Sequence, residues 1–174
     1  GVGSQRVALE PDADAGLARS IRQRAPDIAL FSNFGAVQLT GHLGISGALR
    51  AVEMLQADAL ILHLNPLQEL LQPGGDRDWH GVLAAIEKLV TRLNVPVIAK
   101  EVGFGISGKA ADQLINAGVQ AIDVAGQGGT DFALVELARN SDAATHAMGE
   151  AFSGWGLDTV TCLRQIKDAK LACA

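Results

Sequence analysis

An imidazole, two carboxamides and a carboxylate fall within the seven residues His63-Leu64-Asn65-Pro66-Leu67-Gln68-Glu69. The apolar run Ala59-Leu60-Ile61-Leu62 precedes them, so they are expected at the carboxyl end of a buried strand, where parallel α/β folds carry their chemistry. Carboxamides with one carboxylate suit a hard cation and can donate N–H bonds to phosphate oxygens, whereas zinc calls for thiolates or paired imidazoles. The segment reads as a magnesium-diphosphate site. The competing reading is a polar turn in which Pro66 stops the strand and Asn65 serves as the cap.

Two glycine loops are the other candidates. Gly103-Phe104-Gly105-Ile106-Ser107-Gly108 fits a dinucleotide fingerprint between a strand and a helix, with Asp123 at the distance of a ribose contact. In that fold the strand ahead of the loop is apolar, but here Lys100 and Glu101 stand immediately before it, which suits an active-site rim. Gly126-Gln127-Gly128-Gly129-Thr130 could bring backbone N–H groups against a phosphate or a flat cofactor, with the Thr130 hydroxyl adding a bond. A tight turn capped by Thr130 is the alternative.

Positioning these groups requires strands that end beside one another. The strand candidates are Ile28-Ala29-Leu30-Phe31, Ala59-Leu60-Ile61-Leu62, Pro96-Val97-Ile98-Ala99 and Ala121-Ile122-Asp123-Val124-Ala125. Helical periodicity separates them: Asp78 is the expected cap of a helix whose Val82, Ile86, Leu89 and Leu93 share a face, and Ser107 caps another that Gly118 stops. Leu17 with Ile21, and Val52 with Leu55, mark two weaker helices. Near-continuous apolar strands between helices predict a parallel sheet covered on both faces. Polar residues end all four strands, and the row of tips favours a barrel over an open sheet.

Composition narrows the function. With 48% hydrophobic and 19% charged residues, the 174-residue chain has the apolar surface for a real core. A net charge of −5 without a Lys/Arg run argues against a nucleic-acid partner, and an anionic small ligand would draw on Arg6, Lys100, His63 and a bound cation. No run reaches membrane-spanning length, and Gly1 to Arg6 lack the marks of an export signal, so a cytoplasmic protein without membrane partners is expected. If the tail is helical, Cys162 and Cys173 would stand about 16 Å apart along it, too far to bridge, and they are expected as reduced thiols.

Taken together, Gly3-Ser4-Gln5-Arg6, Ser32 to Leu39, His63 to Glu69, Lys100 to Gly105, Asp123 to Thr130 and Phe152 to Thr159 resemble type 2 isopentenyl-diphosphate delta-isomerase. That family is FMN- and magnesium-dependent and folds as a TIM barrel. The resemblance implies isomerisation of isopentenyl diphosphate to dimethylallyl diphosphate in isoprenoid biosynthesis, by a homo-oligomer. It implies substrate contacts from Ser4, Gln5, Arg6, His63, Asn65 and Gln68, FMN contacts from Ser4, Asn33, Lys100 and Thr130, and magnesium on Glu69. Reduced FMN would supply the acid and base, NADPH or NADH would reduce it, and no side chain is assigned as catalytic. Ala125, where many members have serine, and Asp158, where proline is common, depart from the pattern.

A full (β/α)8 barrel takes about 250 residues. Residues 1–174 are therefore expected to be a single incomplete FMN-binding domain, a partial (β/α)8 barrel lacking the family's first strand and last two strands, with two raw sheet edges. Other readings are an FMN-dependent oxidoreductase of the 2-hydroxy acid oxidase-like class, an NAD-binding module on Gly103 to Gly108, and a non-catalytic structural fragment.

Overall fold

Four strands form one parallel sheet in sequence order in the computed structural model, which describes residues 1–10 and 16–168. The strands are β1 (Phe31–Gly35), β2 (Ala59–His63), β3 (Val97–Lys100) and β4 (Ala121–Asp123). The helices are α1 (Gly16–Arg24), α2 (Gly44–Leu55), α3 (Pro66–Leu71), α4 (Val82–Val90), α5 (Gly108–Asn116), α6 (Phe132–Arg139), α7 (Ala143–Ala151) and α8 (Thr159–Asp168).

Strands β2 to β4 begin within one residue of their expected starts, but β1 begins where its candidate ended. The cause lies far away in sequence. Asp58 Oδ2 accepts the Leu30 N–H at 2.7 Å and an Arg22 N–H at 2.7 Å, while Arg22 also donates to Ile28 O at 3.0 Å. This clamp ties residues 28–30 to α1 and the turn before β2, so the ladder starts with Phe31 opposite Ala59. Ser107 does cap α5, accepting the Ala110 N–H at 3.3 Å. Asp78 does not cap α4: its carboxylate takes the His80 N–H, and Gly81, at φ 75°, precedes the helix.

Side chains alternate across the sheet. Phe34, Leu60, Leu62, Val97, Ala99 and Ile122 are buried in the main core with Ala48 and Ala51 of α2, Ile86 and Leu89 of α4, and Ala111 and Leu114 of α5. The opposite face carries Phe31, Asn33, Ile61, His63, Ile98, Lys100 and Ala121, all half-buried, and exposed Asp123. The expectation of a sheet covered on both faces is thus not met among the described residues. Strands added in one direction by crossovers of one hand put their helices on one side.

The partial (β/α)8 barrel is corrected to this open four-stranded sheet. A barrel closes when its first and last strands pair, and here β1 and β4 are opposite edges. Polar tips line up along one edge in any parallel sheet; they report strand direction, not closure. Another chain segment meets the β1 edge, and a further bridge forms in the loop that follows β4. Val2 and Gln5 donate to Phe31 O and Asn33 O, each at 3.0 Å, and beyond β4 Gln127 bridges Asp158 in parallel.

A second apolar cluster joins Leu67 and Leu71 of α3 to Ala133 and Leu137 of α6 and to Phe104, which fixes α3 against α6 beside the strand ends. Among the described residues no helix is long and apolar enough to cross a membrane. Cys162 is a buried free thiol; Cys173 lies outside the described residues. Phe34, fully buried in the main core, gives the first test. Phe34→Ala should cost about 3–5 kcal/mol of stability, read as a lowered urea midpoint with unchanged slope.

Candidate active site

The ladder sets Gly35, His63, Lys100 and Asp123 in one row, with Asn33, Ile61, Ile98 and Ala121 in the row behind. Polar tips therefore border an apolar floor on the face that carries no helix among the described residues. His63 Nδ1 lies 2.8 Å from Asn33 Oδ1; an amide oxygen only accepts, so Nδ1 carries the proton and Nε2 is left as an acceptor. A Cβ at position 35 would stand 3.0 Å from Nε2, so Gly35 leaves the ring its room. Burial, and secondarily the nearby Lys100 ammonium, lower the His63 pKa from 6.5 to about 4, and the ring is neutral at pH 7. Lys100 Nζ donates to Glu101 O at 2.8 Å and lies 3.5 Å from Asp123 Oδ2.

The segment after β2 turns directly into α3, with Pro66 at its first position. Asn65 takes the N-cap position but makes no cap bond through its side chain, so the polar-turn reading holds for the placement of Asn65 and Pro66 and leaves the Asn65 amide to other partners. Its Nδ2 instead donates to Glu69 Oε1 at 3.0 Å and Gln68 Oε1 at 3.2 Å, and its buried Oδ1 has no hydrogen-bond partner. An unmatched buried acceptor is costly, and its demand is for a donor or a cation. Gln68 Nε2 continues the chain of bonds to Glu136 Oε1 at 3.0 Å. In the other direction, Glu69 Oε2 accepts the Asp76 N–H at 2.8 Å, and the Asp76 carboxylate meets Gln38 Nε2 and, at 3.4 Å, Arg6.

A glutamate side chain already occupies the N–H groups at the start of the glycine loop 103–108. Glu101 Oε2 accepts the N–H groups of Val102, Gly103 and Phe104 at 2.6, 2.8 and 2.6 Å, the donors that a pyrophosphate would need. Burial pushes the Glu101 pKa up and those backbone bonds oppose it. Nothing in this loop therefore favours the NAD-binding reading. The same loop, with Leu64, Trp155 and Leu157, lines a largely apolar cavity of about 400 Å³. In the second glycine loop Asp131, not Thr130, caps α6, accepting the Leu134 N–H at 3.0 Å.

Arg6, Asn65, Gln68 and Glu69 are thus joined in one polar network, and His63, Asn33 and Lys100 share the adjacent sheet face. Gln5 is turned inward: its amide takes the Ser32 hydroxyl at 2.6 Å and donates to Ala51 O at 3.2 Å. Ser4 and Thr130 are exposed, in the leading segment and in the loop before α6. Sequence reasoning missed Gln38, Asp76 and Glu136. Buried Glu136, on the face of α6 shared with Ala133 and Leu137, was the detectable signal; nothing local marks Asp76.

No family model matches the chain. It is 60% identical over 168 residues to an isopentenyl-diphosphate delta-isomerase of Stutzerimonas stutzeri, covering 97% of this chain and 49% of the relative. A protein of the same name from Pseudescherichia vulneris is 59% identical over 169 residues, and one from Nostoc 53% over 167. The chain spans about half the length of the curated relatives it matches. A solved chain from the Amycolatopsis orientalis BexX/CysO complex aligns at TM-score 0.43 and 18% identity over 90% of this chain and 49% of that one. The relatives' names print no type, so the expected assignment to type 2 is corrected to similarity with isopentenyl-diphosphate delta-isomerases so named, and the comparisons say nothing of a cofactor.

The neutral His63 carries a pH signature. With the imidazole titrating at 6.5 unfolded and about 4 folded, the unfolded chain takes up the proton first. The contribution is whole above about pH 6.5 and is lost as the pH falls toward 4, by about 3 kcal/mol. Urea midpoints of the parent should fall across that window more steeply than those of His63→Gln; equal slopes would place the ring in solvent.

Proposed function

We propose that this chain forms part of an enzyme that isomerises isopentenyl diphosphate to dimethylallyl diphosphate, with magnesium and FMN as cofactors. The observation that carries the reading is the unpartnered Asn65 Oδ1, buried on the amide whose Nδ2 lies 3.0 Å from Glu69 Oε1. An oxygen acceptor without a donor, beside a carboxylate oxygen, fits a hard cation that keeps other positions for water and phosphate. The names of the relatives support the reaction.

Arg6 would take the diphosphate charge from the other end of the network. Asn65 and Glu136 hold both ends of the Gln68 amide, which would orient substrate without rotating. An arriving anion would raise the proton affinity of His63 and turn its Nε2 from acceptor to donor. The floor of Ile61, Ile98 and Ala121, bordered by Asn33 and Lys100, fits a planar ring with a polar rim; Thr130 and Ser4 would supply further cofactor contacts. Moving an alkene adds a proton at one carbon and removes one from another, and a reduced flavin, kept so by NADPH or NADH, would supply both positions. The side chains bind, orient and exclude water.

The isomerase and the FMN-oxidoreductase readings part on redox balance, since isomerisation leaves the substrate's oxidation state unchanged. In the protein that carries this chain, with magnesium and dithionite-reduced FMN under anaerobic conditions, isopentenyl diphosphate should give many turnovers without any nicotinamide. One turnover per flavin would sink the isomerase. In the same assay Glu69→Gln should raise the magnesium concentration needed for half-maximal rate by tenfold or more, about 1.4 kcal/mol, while flavin absorbance is retained. An unchanged magnesium dependence would return Glu69 to a structural role.

A further inference from the structure

We infer that Asp76 is a positioning residue that sets the diphosphate-binding Arg6 at a fixed spacing from the metal-binding Glu69, a role that rests on the proposed function of those two side chains. Asp76 acts through two different groups. Its backbone N–H donates to Glu69 Oε2 at 2.8 Å, and its carboxylate accepts from Gln38 Nε2 and Arg6 Nη1, the latter at 3.4 Å. One residue therefore touches the carboxylate assigned to the cation and the guanidinium assigned to the anion.

The turn that carries Asp76 cannot drift. Gly75 N donates to Gln72 O at 3.0 Å, and a Cβ on Gly75 would fall 2.0 Å from Glu69 O, a backbone atom that cannot move aside. The turn is thus folded hard onto α3, and Asp76 inherits its place from the same helix that bears Gln68 and Glu69. Buried Gln38, in the 3-10 turn after β1, holds the carboxylate through Oδ2, the same oxygen that Arg6 meets. Arg6 and Asp76 are themselves about two-fifths exposed, so their pairing is worth little as stability and leaves the guanidinium open to a ligand. An Arg has five N–H donors; the bond to Asp76 leaves others for phosphate.

Calorimetric titration of inorganic pyrophosphate into the parent, Arg6→Ala, Asp76→Asn and the double variant tests this. The asparagine keeps an oxygen for Gln38 and the backbone N–H for Glu69, so it removes only the charge that orients Arg6. Asp76→Asn should weaken pyrophosphate about three- to fivefold when Arg6 is present and leave the affinity unchanged in the Arg6→Ala background. In turnover it should raise KM for isopentenyl diphosphate by a similar factor, with kcat within about twofold. Equal weakening in both backgrounds, or none in either, overturns the role while leaving the site intact. If Arg6→Ala alone binds pyrophosphate like the parent, the diphosphate site fails, and the Asp76 role with it.

Discussion

Parallel register is the constraint on which the site depends. Once Phe31 is opposite Ala59, Leu60 opposite Val97 and Ile98 opposite Ala121, the period-two alternation of side chains leaves no freedom: His63, Lys100 and Asp123 must share a row and a face. A slip of one residue in β3 would turn Lys100 into the core and expose Ala99. The Arg22–Asp58 clamp is where this register is set for β1, because it decides which residue is first in the ladder. A pair on the helix side of the sheet thereby governs which groups stand at the other side.

The helix layer and the satellite cluster divide the labour. The main core fixes the sheet against α2, α4 and α5, and the Leu67, Leu71, Ala133 and Leu137 contacts bring α3 against α6. Only the second makes the Gln68–Glu136 bond possible, across 68 positions of sequence. Gly149 takes part indirectly: a Cβ there would meet the Leu137 side chain at 2.3 Å, so α7 can press α6 toward α3.

What could be read from the residues was what local patterning controls. Apolar runs located β2, β3 and β4, and Ser107 announced α5, because burial and capping act over a few positions. The start of β1 was displaced by Asp58, and the α4 cap by the bond Asp78 makes to His80; both are competitions between partners that no window of sequence ranks. The His63 to Glu69 cluster was legible because its polar residues come directly after an apolar strand. Asp76 and Gln38 were not, since their importance comes from a fold-back turn enforced by Gly75. Alternating strands and helices gave the parallel sheet, but the row of polar tips could not distinguish a closed sheet from an open one.

Glu101 has a consequence for the cost of binding. A glycine loop of this kind would ordinarily sample many shapes, and an incoming ligand would have to freeze one of them. With the N–H groups of Val102, Gly103 and Phe104 already bonded to a resident carboxyl group, the 102–104 segment is ordered before anything arrives. The cavity wall that Glu101, Phe104 and Gly105 contribute is therefore a rigid surface, and a ligand resting on it keeps the affinity that ordering a loose loop would otherwise consume.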